Sequence, residues 1–155
     1  MRKKAKFLLL CLSFMSIFWS TQQIPSINAA NSDEFTAKVV LNGKQMNFDP
    51  NVIAWNSTTL VPFRQLFEAY SAEVQWDSVT KTVTAKKDDT TIKITMDNFQ
   101  AWVNDKEYRL TQTPFIAEGT AYVNLRFVSE ALGATVSYNK KDNVVLIDWV
   151  DDEQK

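Results

Sequence analysis

The chain has 155 residues, with 17 Lys and Arg against 18 Asp and Glu, no histidine and one cysteine. Lack of histidine removes the serine–histidine and cysteine–histidine nucleophile systems and the imidazole ligands of ordinary copper and zinc sites. With no basic excess and no dense Lys/Arg cluster interleaved with aromatics, nucleic acid is excluded as a partner.

The first residues read as a secretory leader. A basic start, Met1-Arg2-Lys3-Lys4-Ala5-Lys6, precedes an apolar run from Phe7 to Trp19, and Ser26-Ile27-Asn28-Ala29-Ala30 ends in small residues. The run is shorter than the roughly 20 residues that span a bilayer, so residues 1–30 are expected to be a cleaved signal peptide. Cys11 follows Leu10, where lipoprotein processing needs a small residue. The leader takes four of the 17 basic residues and none of the 18 acids, leaving 13 against 18 and a net charge of −5 for residues 31–155. It also takes the cysteine, so disulfides are excluded and stability rests on the core. The expected location is secreted or extracellular, wall-associated or free, with no membrane span after cleavage.

Next, Phe35-Thr36-Ala37-Lys38-Val39-Val40-Leu41 alternates, Asn42-Gly43 supplies a two-residue turn that tolerates positive φ, and Lys44–Phe48 returns as the partner strand. That pairing puts Phe35, Ala37, Val39, Leu41, Met46 and Phe48 on a core face. An extended stretch at Val52–Trp55 and a short strand lead to a helix in which Phe63, Leu66, Phe67 and Tyr70 fall at i, i+3, i+4 and i+7, with Pro62 in its first turn. Ser71 stands where the helix end favours a left-handed residue. Strands are expected at Glu73–Asp77, Thr82–Lys86 and Thr90–Met96, with Trp76 in the core beside Val74. A second hairpin turns at Asn104-Asp105, with Phe99, Ala101, Val103, Tyr108 and Leu110 on one face and Trp102 on the other. An extended stretch at Phe115–Ala117 leads to a helix near Asn124–Leu132, with Asn124 suited to its N-cap and Gly133 to its end. Strands at Thr135–Asn139 and Val144–Val150 follow, Tyr138 and Trp149 facing the core.

The second series repeats the first. A shift of 62 residues lays Val39–Ala85 on Ala101–Ile147 without a gap and with ten identities, where about three are expected by chance. Asn42/Asn104, Val61/Val123, Arg64/Arg126, Glu68/Glu130 and Val74/Val136 are among them. The expectation is an α+β fold in which two pseudo-repeats of hairpin, strand, helix and two strands, about 35–87 and 97–150, share one sheet system. No Pro/Gly/Ser linker separates them, so residues 31–155 form one domain.

These residues carry a family resemblance. Leu41-Asn42-Gly43-Lys44, Thr59-Leu60-Val61-Pro62-Phe63-Arg64-Gln65-Leu66-Phe67-Glu68-Ala69, Val74-Gln75-Trp76-Asp77 and Leu125-Arg126-Phe127-Val128-Ser129-Glu130-Ala131-Leu132-Gly133-Ala134 resemble the copper amine oxidase N-terminal-like domain, or stalk domain. Pro62, Arg64, Glu68, Arg126, Glu130 and Gly133 are the structural signature. The resemblance implies a secreted or surface-attached accessory module of a Gram-positive bacterium, an antiparallel sheet curled around helices, with no catalytic role. The chain departs from the pattern at Ser71, where glycine is usual, at Asn124, where proline is usual, and at Asn139, the counterpart of Asp77.

The family name raises copper, and the composition argues against it: without imidazole or thiolate beyond the leader, only carboxylates and water remain, which select hard ions. Three glycines at Gly43, Gly119 and Gly133 build no phosphate-cradling loop. Asp88-Asp89, Asp148 and Asp151-Asp152-Glu153 are the acids a glycoside-active hydrolase would draw on, and all sit where solvated acids are expected. No catalytic residue, metal ligand or cofactor is assigned, and the chain is read as a non-enzyme.

Arg64/Glu68 and Arg126/Glu130 are spaced to pair along a helix, and a role in tying the helix start to neighbouring backbone is favoured over a functional dyad. Recognition is assigned to aromatics instead. Trp102 is the one large apolar side chain on a polar hairpin face, close to Arg109; its repeat counterpart Val40 is also apolar, so a half-covered site where the two units or another strand pack is the equal alternative, and Trp55, at a strand end before Asn56-Ser57, is the second candidate. The sequence supports a non-catalytic binding or structural module at the cell envelope, with an extracellular protein as the leading partner and cell-wall polysaccharide or another carbohydrate as the alternative.

Overall fold

The computed structural model describes residues 37–150. The expected signal peptide, Phe35, Thr36 and the acids Asp151, Asp152 and Glu153 lie outside the described residues. The order is β1 (Lys38–Leu41), β2 (Lys44–Met46), β3 (Ile53–Trp55), β4 (Thr58–Pro62), α1 (Phe63–Ala69), β5 (Glu73–Asp77), β6 (Thr82–Lys87), β7 (Thr90–Thr95), β8 (Gln100–Val103), β9 (Lys106–Arg109), β10 (Phe115–Ala117), β11 (Thr120–Asn124), α2 (Leu125–Ala131), β12 (Thr135–Asn139) and β13 (Val144–Asp148). The fold is α+β, with mostly antiparallel sheets and two helices of two turns each. The repeat shift carries the start of each of β1 to β6 onto that of β8 to β13 in turn, and α1 onto α2, while β7 has no counterpart among them.

Local chemistry sets these elements. Asn42 and Gly43 take φ of 49° and 77°, the two left-handed conformations a tight hairpin turn requires, so Val39 faces Met46 and Leu41 faces Lys44. Each helix ends in one motif. Ser71 N–H and Ala72 N–H donate to Glu68 O and Phe67 O at 2.9 and 3.0 Å, as Gly133 N–H and Ala134 N–H donate to Glu130 O and Ser129 O at 3.1 and 2.9 Å. Both closures need positive φ, 55° at Ser71 and 84° at Gly133, so Ser71 adopts a conformation that glycine reaches without strain.

The strands form three sheets where one shared system was expected. Their orders are β12-β13-β1-β2, β10-β11-β4-β3 and β5-β6-β7-β8-β9, and each draws strands from both halves of the chain. In the first, β13 returns to pair with β1 in parallel, Val145 beside Val39. In the second, β4 and β11 run antiparallel with Val61 opposite Val123, and because these valines are repeat counterparts of each other the pairing is symmetric about that rung. In the third, β7 stands between β6 and the second hairpin. Local periodicity identifies strands but not which distant strands meet.

The core joins all three sheets to both helices. Val39, Val61, Leu66, Phe67, Tyr70, Val83, Ile94, Val123, Val128 and Ile147 are buried in one cluster. β4 and β11 are covered on both faces, since Leu60 and Tyr122, on the side opposite Val61 and Val123, are buried too. Connecting loops help cover that side: Tyr122 Oη donates to Asn51 O at 3.3 Å, and Asn124 Nδ2 to Gln112 O at 2.7 Å. Asn124 occupies the N-cap position of α2 but makes no capping bond, because its side chain is committed to that loop. Pro62 likewise ends β4 at the N-cap position of α1 instead of sitting in the first turn.

Four aromatics expected on core faces are instead exposed: Trp76, Tyr138, and Phe99 and Tyr108 of the second hairpin. Trp76 and Tyr138 have the phase of Val74 and Val136 but are 37% and 51% exposed. They lie on β5 and β12, sheet-edge strands with no further strand to cover them. Trp149 packs against the core edge-on to Tyr70, ring centroids 5.0 Å apart, and donates Nε1–H to Leu132 O at 3.1 Å.

Candidate functional site

Ala101 points into the core, so Trp102 projects from the outer face of the third sheet, where it is half-buried. The register places a single row of side chains across all five strands of that face. Gln75 pairs with Thr84, Thr84 with Lys93, Lys93 with Trp102 and Trp102 with Glu107. Flanking rungs carry Asp77, Thr82 and Thr95, with Gln100 opposite Arg109, and on the other side Glu73, Lys86 and Thr91. Gln100 Nε2 donates to Glu107 Oε1 at 2.7 Å, which occupies that carboxylate, whereas Lys93 has no carboxylate partner among the described residues. The result is an apolar ring set among hydroxyls, amides and charged side chains of both signs, with the Lys93 ammonium group beside it.

Arg109 shares the face of Trp102, one rung removed, and its guanidinium lies 4.8 Å over the Phe99 ring. Trp55 is 53% exposed at the end of β3 and belongs to the second sheet, apart from the row. Lys93, Thr84 and Gln75 were not legible as site residues from sequence. Their alternation placed them on an outer face, but only the insertion of β7 between β6 and β8 brings them into register with Trp102.

The paired arginines have diverged. Arg126 Nη1 bonds Glu130 Oε1 at 3.1 Å and donates to Val136 O at 2.5 Å, latching α2 to edge strand β12. Arg64 instead lies 5.3 Å over the Phe63 ring, with no ion pair to Glu68 among the described residues. The backbone tie therefore holds for Arg126 and fails for Arg64.

The asparagines repeated at the hairpin turns do a job that composition could not reveal. Asn104 Oδ1 accepts from Thr91 N–H at 2.8 Å, and Asn104 N–H donates to Thr91 O at 2.7 Å, tying the turn to β7. Asn42 Oδ1 accepts from Trp149 N–H at 2.8 Å, and Nδ2 donates to Trp149 O at 2.7 Å. Asp77 and Asn139 form matching side-chain turns: Asp77 Oδ1 accepts from Val79 and Thr80 N–H, and Asn139 Oδ1 from Lys141 and Asp142 N–H. The Thr80 side chain and these two amides hold the Asp77 carboxyl below its ordinary range.

A groove of about 490 Å³ lies between β1, β2 and the β12–β13 turn, lined by Met46, Phe48, Val52, Asn47, Asn51 and Asp142. The described residues contain no group of three or more His, Cys, Asp or Glu side chains gathered as metal ligands. With no histidine in the chain, this donor set does not fit copper. Residues 40–147 match the family model described as copper amine oxidase N-terminal domain. No curated protein matches the chain.

Proposed function

This chain belongs to the copper amine oxidase N-terminal domain family, and from that membership we propose that it serves as a secreted binding and spacer module at the cell envelope of a Gram-positive bacterium. The family is a non-catalytic, stalk-type module, and fold-level kinship assigns no ligand, so the site must. The observation that carries the proposal is the interlocking of the chain: both halves contribute strands to all three sheets, leaving the broad outer face of the third sheet on a stiff support. Sequence alone ranks a protein partner ahead of wall glycan. The cross-strand row around Trp102 favours the glycan, because hydroxyl and amide side chains surrounding one ring suit a hydrated, repetitive ligand better than a dry protein interface.

Fractionation of a Gram-positive host expressing the full chain tests this function. The expected result is recovery from medium or wall, with residues 1–30 removed. Recovery from the cytoplasm with the leader intact would contradict it.

A further inference from the structure

We propose that the row Gln75–Thr84–Lys93–Trp102–Glu107 binds an extended, β-linked amino-sugar chain of the cell wall, with one sugar ring on Trp102 and a carboxylate substituent of its neighbour at Lys93. The inference rests on the envelope location proposed above and names the ligand of the same face.

The geometry is that of a ruler. Neighbouring strands stand about 4.8 Å apart, so five strands place their side chains across about 19 Å. A β-linked glycan in its extended form advances by nearly the same distance per sugar, so a chain laid across the strands meets one side chain of the row per ring. Glycans of this type expose axial C–H groups on a flat face, which stacks on an indole, and hydroxyl and acetamido groups at the rim, which bond to Gln75 and Thr84.

Charge selects the kind of glycan. Glu107 already accepts from Gln100, while Lys93, the next residue in the row beside Trp102, is exposed and without a carboxylate partner among the described residues. An anionic group one sugar along from the stacked ring meets that ammonium. A neutral chain leaves it unanswered. On the flanking rungs Thr82 and Thr95 bond each other and leave low ground on one side of the row, while Lys86, opposite Thr91, adds a second ammonium on the other.

The equivalent row in the first sheet supplies an internal control. Ser137 pairs with Leu146, Leu146 with Val40 and Val40 with Gln45, at the positions that the repeat matches to Gln75, Thr84, Trp102 and Glu107. It has neither ring nor ammonium and is one strand narrower.

The test is calorimetric titration of the purified chain with two probes: a tetrasaccharide of alternating N-acetylglucosamine and N-acetylmuramic acid with free carboxylates, and uncharged chitotetraose. The acidic probe is expected to bind saturably and more tightly than chitotetraose. Trp102→Ala, with unchanged melting, should lower affinity for both by about tenfold or more, and Trp102→Phe should keep part of it. Lys93→Ala should bring the acidic probe down to the level of the neutral one, and Val40→Ala should change nothing. Absence of binding by the unmodified chain, or equal affinity in Trp102→Ala, overturns the proposal. Retention on intact wall without affinity for either probe overturns the glycan while leaving the envelope location intact.

Discussion

In the third sheet, Thr84, Lys93 and Trp102 stand side by side on the outer face, whereas the corresponding positions of the first sheet hold Leu146 directly beside Val40. The inner faces beneath them have changed far less: Val83 and Ala101 are matched by Val145 and Val39, and all four are buried. At these positions, 62 residues apart, the side chains that fill the core agree in being apolar and those that face outward differ. The difference arises from β7, which widens the third sheet and restores antiparallel pairing to its hairpin, while β1 must accept β13 in parallel.

Substitution at matched positions tests how far the halves have diverged. The largest contrast is between Phe67 and Ser129, which the repeat places at the same point of the two helices and which are both buried. Phe67→Ala should cost about 3–5 kcal/mol by denaturant unfolding. Ser129→Ala should cost less than about 1 kcal/mol or stabilise, because the buried Ser129 hydroxyl makes no well-formed hydrogen bond among the described residues. Equal losses would mean that the core treats the halves alike.

Second come the arginines. Arg126→Ala removes the bond to Val136 O and the exposed pair with Glu130, and should cost about 1–2 kcal/mol. Arg64→Ala should cost under about 0.5 kcal/mol, since no such latch exists there. The helix ends follow: Gly133→Ser should cost about 1 kcal/mol, and Ser71→Gly should gain a few tenths to about 1 kcal/mol. A Cβ at Gly133 meets nothing within 4 Å, so only backbone conformation is being tested.

The smallest effect is read by pH. Burial raises the Tyr70 phenol above its ordinary 10.0, because the phenolate would be cut off from water. Above pH 10 the unfolded chain releases that proton while the folded chain keeps it, so this contribution to stability is present below pH 10 and is lost as pH rises. Tyr70→Phe should melt with a shallower alkaline decline than the unmodified chain.

The parts legible in sequence were those fixed by near neighbours. Asn42-Gly43 specified its hairpin because its residues accept positive φ, the spacing of Phe63, Leu66, Phe67 and Tyr70 specified a helix, and Ser71 and Gly133 marked the helix ends. Illegible were contacts settled at long range: the division into three sheets, the return of β13 to β1, and the exposure of Trp76 and Tyr138 at edges that only topology defines. Trp102 and Arg109 could be placed on one face from the hairpin alone, but Lys93 joined them only through β7.

The most direct test of the account is a nitrogen–proton correlation spectrum of the chain during titration with the acidic tetrasaccharide. Saturable movement of the Trp102 indole N–H and of the Thr84 and Lys93 amides is expected, with Val40 and Leu146 unmoved. Equal movement in both sheets, or movement confined to the first, would contradict it.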